Sequence, residues 1–267
     1  MLKFTTLITA HTQLAPDIWL IKLKCPETFV FLPGQYVLVH IDHHDPSTKA
    51  PYPRAYSVAG YVATVADDGR VHASEISLIY KRYAGGVATT CLESKKVGDS
   101  LDIQGPAGHY TLARHLSNES KILNFVVTGT GIAPVMCMLQ SLLTFDLRPS
   151  TILLYWGLPT RHDIYLQKEL ADFKREFARR SVNFSIILGL SQEKEGALPD
   201  IDQCEVFGSR LQAALDKEVL LNDKAQGAPP SSDLFSLCGS GAFVQDMRLH
   251  LISRSIAPKR IVFERFS

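Results

Sequence analysis

The chain has 267 residues, of which 46% are hydrophobic, and its 28 Lys and Arg residues are balanced by 27 Asp and Glu residues. This length suits one large or two medium domains with ordinary cores. A formal net charge of +1 argues against nucleic-acid binding, which usually needs a basic excess on one domain. The N-terminus lacks signal-peptide features, and glycine or proline interrupts the most apolar stretches. We therefore expect a soluble, cytoplasmic protein without membrane insertion.

The cysteines are dispersed along the chain, and no two of them are close in sequence. They occupy positions 25, 91, 137, 204 and 238. The CxxC pairs of metal sites and the clustered spacing of plant-type iron–sulfur proteins are both missing. An odd, unclustered set also argues against a secreted disulfide framework. We therefore predict neither an iron–sulfur cluster nor a disulfide scaffold.

The first 110 residues have the pattern of short strands separated by turns. The predicted strands cover 3–10, 17–24, 36–41, 54–62, 74–81 and 100–103. Val, Ile, Leu, Thr and Tyr dominate these segments, and turn-forming pairs such as Pro33-Gly34 separate them. One short helix is predicted near 86–94. Six short strands with this punctuation indicate a small antiparallel β-barrel.

After a polar stretch at 113–121, apolar strands alternate with amphipathic helices. The predicted strands are 121–129, 151–158, 183–190, 234–239 and 260–266, and the predicted helices are 132–145, 163–180, 207–220 and 242–255. Alternation of this kind indicates a parallel, doubly wound sheet. We therefore predict a β-barrel domain over 1–115 and an α/β domain over 116–267, with a surface loop at 222–233.

A glycine-rich turn follows the first strand of the α/β domain. Gly129 and Gly131 allow the backbone to approach a pyrophosphate, and the following helix offers free N–H groups and a positive dipole. Pro134 suits the first helical turn and replaces the third glycine of the Rossmann fingerprint. No GK[ST] follows, which argues against a kinase or ATPase. The pattern alone is equally typical of a turn that binds nothing.

A second motif lies on the predicted strand at 54–62. Arg54 and Tyr56 would point to one face, with Ala55 and Ser57 on the other. Such an arginine can bind a phosphate in bidentate fashion, and the tyrosine offers an aromatic plane beside it. A cross-strand surface pair is the alternative interpretation.

Two further motifs open predicted helices. Gly85 and Gly86 precede a short helix whose N-terminus suits an anion, although an ordinary helix start would look the same. Cys238 and Gly239 end a strand at the sheet edge where ligands bind in doubly wound folds. A lone buried cysteine is more often inert packing.

In this order and spacing, the motifs resemble those of the ferredoxin–NADP reductase superfamily, the oxidoreductases that combine a flavin barrel with a nicotinamide domain. The matching segments are PGQY at 33–36, RAYS at 54–57, GGVATT at 85–90, GPAGHY at 105–110, GTGIAP at 129–134, the stretch 156–170, CGSG at 238–241 and FERF at 263–266. The resemblance covers nearly the whole chain and leaves no room for a fused ferredoxin domain.

The resemblance implies roles for residues of the barrel. Arg54 would hold the FAD pyrophosphate, Tyr56 would pack on the isoalloxazine, and Ser57 would lie near flavin N5. The segment expected to cap the flavin phosphates with backbone N–H groups comprises Gly85, Gly86, Val87, Ala88 and Thr89. Ala55 completes the flavin motif.

The resemblance also assigns residues of the α/β domain. The turn expected to bind the nicotinamide dinucleotide's pyrophosphate comprises Thr128, Gly129, Thr130, Gly131 and Pro134. Cys238 and Gly239 would lie beside the nicotinamide, where Cys238 would orient hydride transfer. Glu264 and Phe266 match a C-terminal motif that lies near the flavin ring in relatives. The predicted catalytic residues are thus Ser57, Cys238 and Glu264.

Two departures from the resemblance concern the choice between NADH and NADPH. Gly157-Leu158-Pro159 and Ser191-Gln192 stand where many relatives carry arginines near an adenosine 2′-phosphate. Arg161 and Lys194 could substitute as phosphate partners. Because no acidic residue ends the second strand, as an NAD site would favour, we slightly favour NADPH.

His40, Asp42 and His44 would share one face of an extended segment. We interpret this segment as a solvated loop, with a weak divalent-metal site as the alternative. We predict no metal in the functional site.

The implied activity is hydride transfer from NAD(P)H to N5 of bound FAD. The electrons would then pass to an external acceptor: a ferredoxin-type iron–sulfur protein, a flavodoxin or a small molecule. Two alternatives stay open at this point. One is an NAD(P)H:free-flavin reductase, and the other is a non-enzymatic flavin-binding redox sensor or electron-transfer subunit.

Overall fold

The structure is a computed structural model. It describes residues 1–41, 53–66, 69–112, 115–116, 121–144, 149–193, 201, 204–217 and 233–266. Within these ranges, no helix is long and apolar enough to cross a membrane. Several predictions fall outside them: Asp42 and His44 of the expected solvated loop, most of the linker at 113–121, Lys194, and nearly all of the loop at 222–233.

The first part of the chain forms an antiparallel β-barrel, as the strand pattern predicts. Its strands are β1 (Leu2–Ala15), β2 (Ile18–Lys24), β3 (Val30–Phe31), β4 (Tyr36–His40), β5 (Arg54–Val65), β6 (Val71–Lys81) and β7 (Ser100–Ala107). They pair in the order β2-β1-β7-β4-β5-β6-β3, and an additional pairing of β2 with β6 closes the barrel. Among the described strands of the barrel, the sequence pattern misses the two-residue strand β3.

The alternation of side chains along each strand fills the barrel. In β7, Leu101 and Ile103 are buried, while Ser100 and Asp102 between them are exposed. One face of the strand therefore contributes to the core and the other faces water. Helix α1 (Val87–Ser94) adds Leu92 to the same core.

The second part of the chain is a parallel sheet with helices. Its strands are β8 (Ile122–Thr128), β9 (Thr151–Leu158), β10 (Asn183–Leu190), β11 (Cys204–Phe207), β12 (Asp233–Ser240) and β13 (Ile261–Phe266). Its helices are α2 (Ile132–Leu142), α3 (Gln167–Arg179), α4 (211–217) and α5 (Gly241–Ser253). The sheet order β11-β10-β9-β8-β12-β13, parallel throughout, confirms the predicted doubly wound fold.

The strand order creates one position of special interest. The chain moves from β8 outward to β9, β10 and β11, and then returns to the other side of β8 as β12. The adjacent strands β8 and β12 therefore mark a topological switch point, where the strand order reverses. The loops that follow these two strands leave in opposite directions, and ligands of doubly wound sheets bind in the crevice between such loops. The glycine turn follows β8, and Cys238-Gly239 ends β12.

The chain divides into two compact units, and their division does not follow the sequence order strictly. One unit comprises Met1–Ala113 with Ala133–Phe145, and the other comprises Arg114–Ile132 with Asp146–Ser267. Most of α2 therefore clusters with the barrel, where Cys137 is part of the barrel core. The domain boundary expected at 115/116 stays a prediction.

Candidate functional site

Two side chains at the start of β5 place a cation beside a phenol. Arg54 and Tyr56 pair with Val39 and Val37 of β4, and residues two apart share one face of a strand. The Tyr56 ring packs against the barrel core and edge-on to Tyr80, with ring centroids 6.4 Å apart. Burial raises the pKa of Tyr56 to about 12, while the Arg54 charge acts in the opposite direction. Tyr56 is therefore a neutral phenol near a permanent positive charge.

The other members of this motif differ in exposure. Ser57 is 6% exposed and pairs with Tyr36, whereas Ala55 is exposed. The Arg54 guanidinium is half-buried and donates a hydrogen bond to the carbonyl of Pro53 at 3.2 Å. The strand thus carries the buried hydroxyl of Ser57 next in sequence to Tyr56 and on the opposite face.

The N-terminus of α1 is a second feature of the barrel whose backbone N–H groups suit an anion. Gly85 has a positive φ of 76°, a conformation that side chains rarely adopt, and it leads into Gly86 as the cap residue. No side chain caps this helix, and its first turn carries no acidic residue. The Thr89 hydroxyl turns inward, donating to the Gly86 carbonyl at 3.2 Å and accepting from the Tyr83 N–H at 3.4 Å. The backbone N–H groups of the first helical turn have no acceptor within the helix, so they are the groups that would donate to an anion at this end.

The barrel unit contains both of these features. Tyr56 packs against the same core as Cys91 of α1, and the Cys91 thiol contributes to the raised pKa of Tyr56. Arg54 and the α1 N-terminus therefore supply a guanidinium and backbone N–H groups within one unit. This donor set fits a pyrophosphate, the anion of a flavin dinucleotide.

The second candidate anion site is the glycine turn between β8 and α2. Gly129–Gly131 forms a single 3-10 turn with no acidic residue in it. A Cβ atom on Gly131 would overlap the carbonyl group of Cys238, so only glycine allows β8 and β12 to approach this closely. The turn thus brings Gly131 directly against the end of β12, at the switch point.

Two aromatic side chains that the sequence analysis did not single out hold this turn. The Trp156 indole N–H and the Tyr165 hydroxyl both donate to the carbonyl of Gly129, at 3.0 and 3.2 Å. Their rings pack edge to face, with centroids 4.8 Å apart. In a trans peptide the carbonyl and the next N–H point in opposite directions. Fixing the Gly129 carbonyl therefore directs the Thr130 N–H away from the aromatic pair.

Cys238 is a fully buried thiol at the carboxyl end of β12. It pairs with Glu264 across the β12–β13 ladder, and Ser240 pairs with Phe266. Burial raises the pKa of the Cys238 thiol well above its ordinary value, and the Glu264 carboxylate adds to the effect. The thiol is therefore neutral at physiological pH and serves as a weak hydrogen-bonding group rather than as a nucleophile.

Comparison with known proteins agrees with the two units. Residues 5–112 match the sequence model of the oxidoreductase FAD-binding domain, and residues 125–204 match that of the oxidoreductase NAD-binding domain. The fold also matches a solved ferredoxin NADP+ reductase from Neisseria gonorrhoeae, with bound FAD and NADP, at a TM-score of 0.78. That match has 19% sequence identity and covers 98% of each chain. The chain belongs to the ferredoxin–NADP reductase superfamily.

Curated members of this superfamily are similar over part of their length. Reductase component 2 of terephthalate 1,2-dioxygenase from Comamonas sp is 29% identical over 176 residues, which is 65% of this chain and 46% of that protein. The reductase component of propane 2-monooxygenase from Mycolicibacterium goodii is 27% identical over 256 residues, 92% of this chain and 62% of that protein. The chain thus spans less than two thirds of either relative.

Within this reductase fold, the α/β unit groups several of the predicted nucleotide-site residues. Thr128 and Gly131 contact the end of β12 at Gly239 and Cys238, with Glu264 on the neighbouring strand. Pro134, buried in the first turn of α2, belongs by contrast to the unit that contains the barrel. The roles of these residues, and the expected proximity of Phe266 to a flavin, stay predictions.

Arg161, which the sequence suggested as a phosphate partner, lies in an ion pair in the structure, and its expected role stays a prediction. It forms a two-point ion pair with Glu193, a residue that the sequence analysis did not single out. The two residues lie in separate loops, 32 positions apart in sequence, so only the folded sheet brings them together.

Proposed function

We propose that this chain is an FAD-dependent NAD(P)H oxidoreductase that passes electrons to a separate acceptor. One observation supports this most strongly: each unit has its own donor set for a pyrophosphate. Arg54 and the N-terminus of α1 form one set, and the glycine turn of Gly129–Gly131 forms the other. A protein with one FAD-binding and one NAD-binding domain is suited to transfer between two dinucleotides.

On the flavin side, the barrel residues bind and orient. Bound FAD would supply the electron chemistry, taking a hydride from NAD(P)H at N5 and releasing electrons to the acceptor. Arg54 forms charge-assisted hydrogen bonds to the pyrophosphate together with the N–H groups of α1. Tyr56 offers a neutral aromatic ring for the isoalloxazine, and Ser57 offers a hydroxyl for N5.

On the nicotinamide side, the backbone of the glycine turn binds the second pyrophosphate. Its Thr130 N–H is oriented by the two hydrogen bonds that fix the Gly129 carbonyl. Cys238 adds a neutral thiol that limits the orientation of the nicotinamide ring, with Glu264 beside it. These groups position a hydride donor without acting as an acid–base pair.

The acceptor we propose is a ferredoxin-type iron–sulfur protein or flavodoxin, or the iron–sulfur component of an oxygenase. The names of the similar proteins support this, since they are reductase components of dioxygenases and monooxygenases. A cytoplasmic location fits such partners and also stays a proposal.

Stopped-flow reduction of the FAD-loaded protein by NADH and by NADPH, under argon, tests the proposal. We expect at least one nucleotide to bleach the flavin absorbance with a single saturable rate. If neither does, the reductase function is wrong and a flavin-binding sensor takes its place. If the flavin separates from the protein on gel filtration, a free-flavin reductase takes its place.

A further inference from the structure

A histidine of the first strand joins three elements of the barrel unit. His11 of β1 lies 2.8 Å from the Tyr80 hydroxyl of β6 through its Nε2 atom, and 2.9 Å from the Lys95 carbonyl through its Nδ1 atom. Lys95 is the residue that caps the C-terminus of α1. The imidazole also packs against the Trp19 ring, with centroids 5.0 Å apart. Both ring nitrogens of His11 are therefore used, each on a different element.

The chemistry of these partners fixes the direction of both hydrogen bonds. A carbonyl oxygen only accepts, so Nδ1 carries the proton that His11 donates to Lys95. In the neutral imidazole Nε2 is then the acceptor, and the Tyr80 hydroxyl donates to it. Burial raises the pKa of Tyr80 above its ordinary value, and the Glu93 carboxylate adds to the effect. The Tyr80 hydroxyl thus keeps the proton that it donates to His11.

Tyr80 extends this link to the Tyr56 ring. Tyr80 is buried, and its ring meets that of Tyr56 edge to face, with centroids 6.4 Å apart and planes inclined by 73°. Such contacts depend on the orientation of both rings. Because the hydrogen bond to His11 holds the Tyr80 oxygen in place, the ring against which Tyr56 rests is fixed at both ends.

The same histidine holds the end of α1 that lies away from its proposed phosphate donors. Its hydrogen bond is to the carbonyl of the C-cap residue, and Arg82 Nε adds a second tie, 2.7 Å from a carboxylate oxygen of Glu93. Between the two ends, Cys91 packs against the same core as Tyr56. A helix of eight residues is about 12 Å long and moves as one body. Holding its C-terminus therefore limits the movement of its N-terminal N–H groups.

We propose that His11 is a positioning residue of the flavin site, which fixes the Tyr56 ring through Tyr80 and the pyrophosphate-binding helix through the Lys95 carbonyl. This inference rests on the proposed function of the barrel as the FAD site. With His11 in place, the aromatic surface and the phosphate donors are both ordered before FAD binds, which lowers the ordering cost of binding. Without the imidazole, FAD would have to order both of them.

Equilibrium binding of FAD and the fluorescence lifetime of the bound flavin test this role without NAD(P)H. His11→Ala should weaken FAD binding about tenfold, because two hydrogen bonds that order the site are lost. It should also lengthen the lifetime, because an aromatic ring stacked on an isoalloxazine quenches its emission and a looser Tyr56 quenches less. Tyr80→Phe removes the hydroxyl and keeps the ring, so it should give the same changes to a smaller extent. The double variant should show no larger changes than His11→Ala, since both substitutions break one link.

Three further variants separate positioning from a loss of stability. His11→Gln supplies one amide donor and one amide acceptor, and it should keep FAD affinity within about threefold of the parent. His72→Ala is the matched control, because it makes the same substitution at an exposed histidine of β6, and it should change neither quantity. Gln140→Ala removes two hydrogen bonds to the Tyr61 backbone. It should destabilise the barrel and still keep the parent's lifetime.

Parental FAD affinity and lifetime in Tyr80→Phe would overturn the inference, as would effects of His11→Ala and Tyr80→Phe that add in full in the double variant. A longer lifetime in Gln140→Ala would also overturn it, because the change would then follow stability. These measurements do not depend on flavin reduction. If neither NADH nor NADPH bleaches the flavin, the reductase function fails. Weaker FAD binding in His11→Ala, with unchanged binding in His72→Ala, still supports the role of His11.

Discussion

The carbonyl oxygen of Gly129 in the glycine turn accepts two side-chain hydrogen bonds. Two rigid aromatic side chains donate to it, one from β9 and one from the segment before α3. Both rings are buried and pack against each other, so neither donor can rotate away without losing contacts. A turn fixed in this way presents its N–H groups before the ligand arrives, which lowers the ordering cost of binding.

Tyr165→Phe should weaken this arrangement while keeping the ring in place. Loss of one hydrogen bond is expected to lower the free energy of unfolding by about 1 kcal/mol and to weaken nucleotide binding a few-fold. Urea unfolding followed by circular dichroism and nucleotide titration measure the two effects. Tyr83→Phe, at an exposed tyrosine, is the control and should change neither. Unchanged nucleotide affinity in Tyr165→Phe would show that the turn does not depend on this donor.

Cys238 is expected to act by position and not as a nucleophile. Cys238→Ala should lower the rate of flavin reduction more than about tenfold while FAD stays bound, because a misplaced hydride donor reacts slowly. We expect the same of Ser57→Ala. Since burial raises the pKa of the Cys238 thiol, the group stays protonated, and its contribution should not titrate between about pH 6 and 9. Cys204→Ala, at a half-buried cysteine of β11, is the control. A Cys238→Ala rate equal to the parent's would remove the residue from the catalytic set.

At the scale of elements, an amide side chain of α2 bonds to a strand of the barrel. The Gln140 side chain accepts from the Tyr61 N–H at 3.2 Å and donates to the Tyr61 carbonyl at 2.8 Å. It therefore substitutes for a neighbouring strand at a point beyond Ser57, where the pairing of β5 with β4 has ended. Buried Cys137, one turn earlier, packs into the barrel core from the same helix. Most of the helix that follows the glycine turn is thus structurally part of the barrel unit.

Gln140→Ala should destabilise the barrel unit. Two backbone groups of Tyr61 lose their partner, and we expect the free energy of unfolding to fall by about 2–3 kcal/mol. Chemical denaturation gives this value directly. Gln167→Ala, at an exposed glutamine that begins α3, should cost less than about 0.5 kcal/mol. An equal loss of unfolding free energy in the two variants would mean that water replaces the Gln140 amide at no cost in stability.

The sequence predicts elements well where side-chain periodicity decides them. The strands from β8 to β10 are nearly continuous apolar runs. The same pattern in β8 and β12 locates the glycine turn, which follows β8, and Cys238, which lies near the end of β12. Two short strands, Val30–Phe31 and Cys204–Phe207, escape because their length is too small for any periodicity. The contacts of Gln140 with Tyr61 and of Arg161 with Glu193 could not be predicted, because each joins residues that only the tertiary fold brings together.

At the scale of the whole molecule, each unit has its own core and its own tryptophan. Trp19 of β2 packs against the barrel core, and Trp156 of β9 is buried in the α/β unit. The sequence contains no other tryptophan. A unit with an independent core can unfold by itself, and a ligand stabilises the unit that binds it. The two indoles can therefore report which unit binds which dinucleotide.

FAD and NAD+ should stabilise different unfolding transitions. In Trp156→Phe, fluorescence follows the barrel alone, and FAD at a hundredfold excess over its Kd should add about 2.7 kcal/mol to that transition. In Trp19→Phe, fluorescence follows the α/β unit, which NAD+ should stabilise more than FAD does. Adding Arg54→Ala should abolish the FAD effect and keep the NAD+ effect, because Arg54 belongs to the flavin donor set alone. If FAD instead stabilised the Trp156 transition and left that of Trp19 unchanged, the assignment of the flavin to the barrel would be wrong.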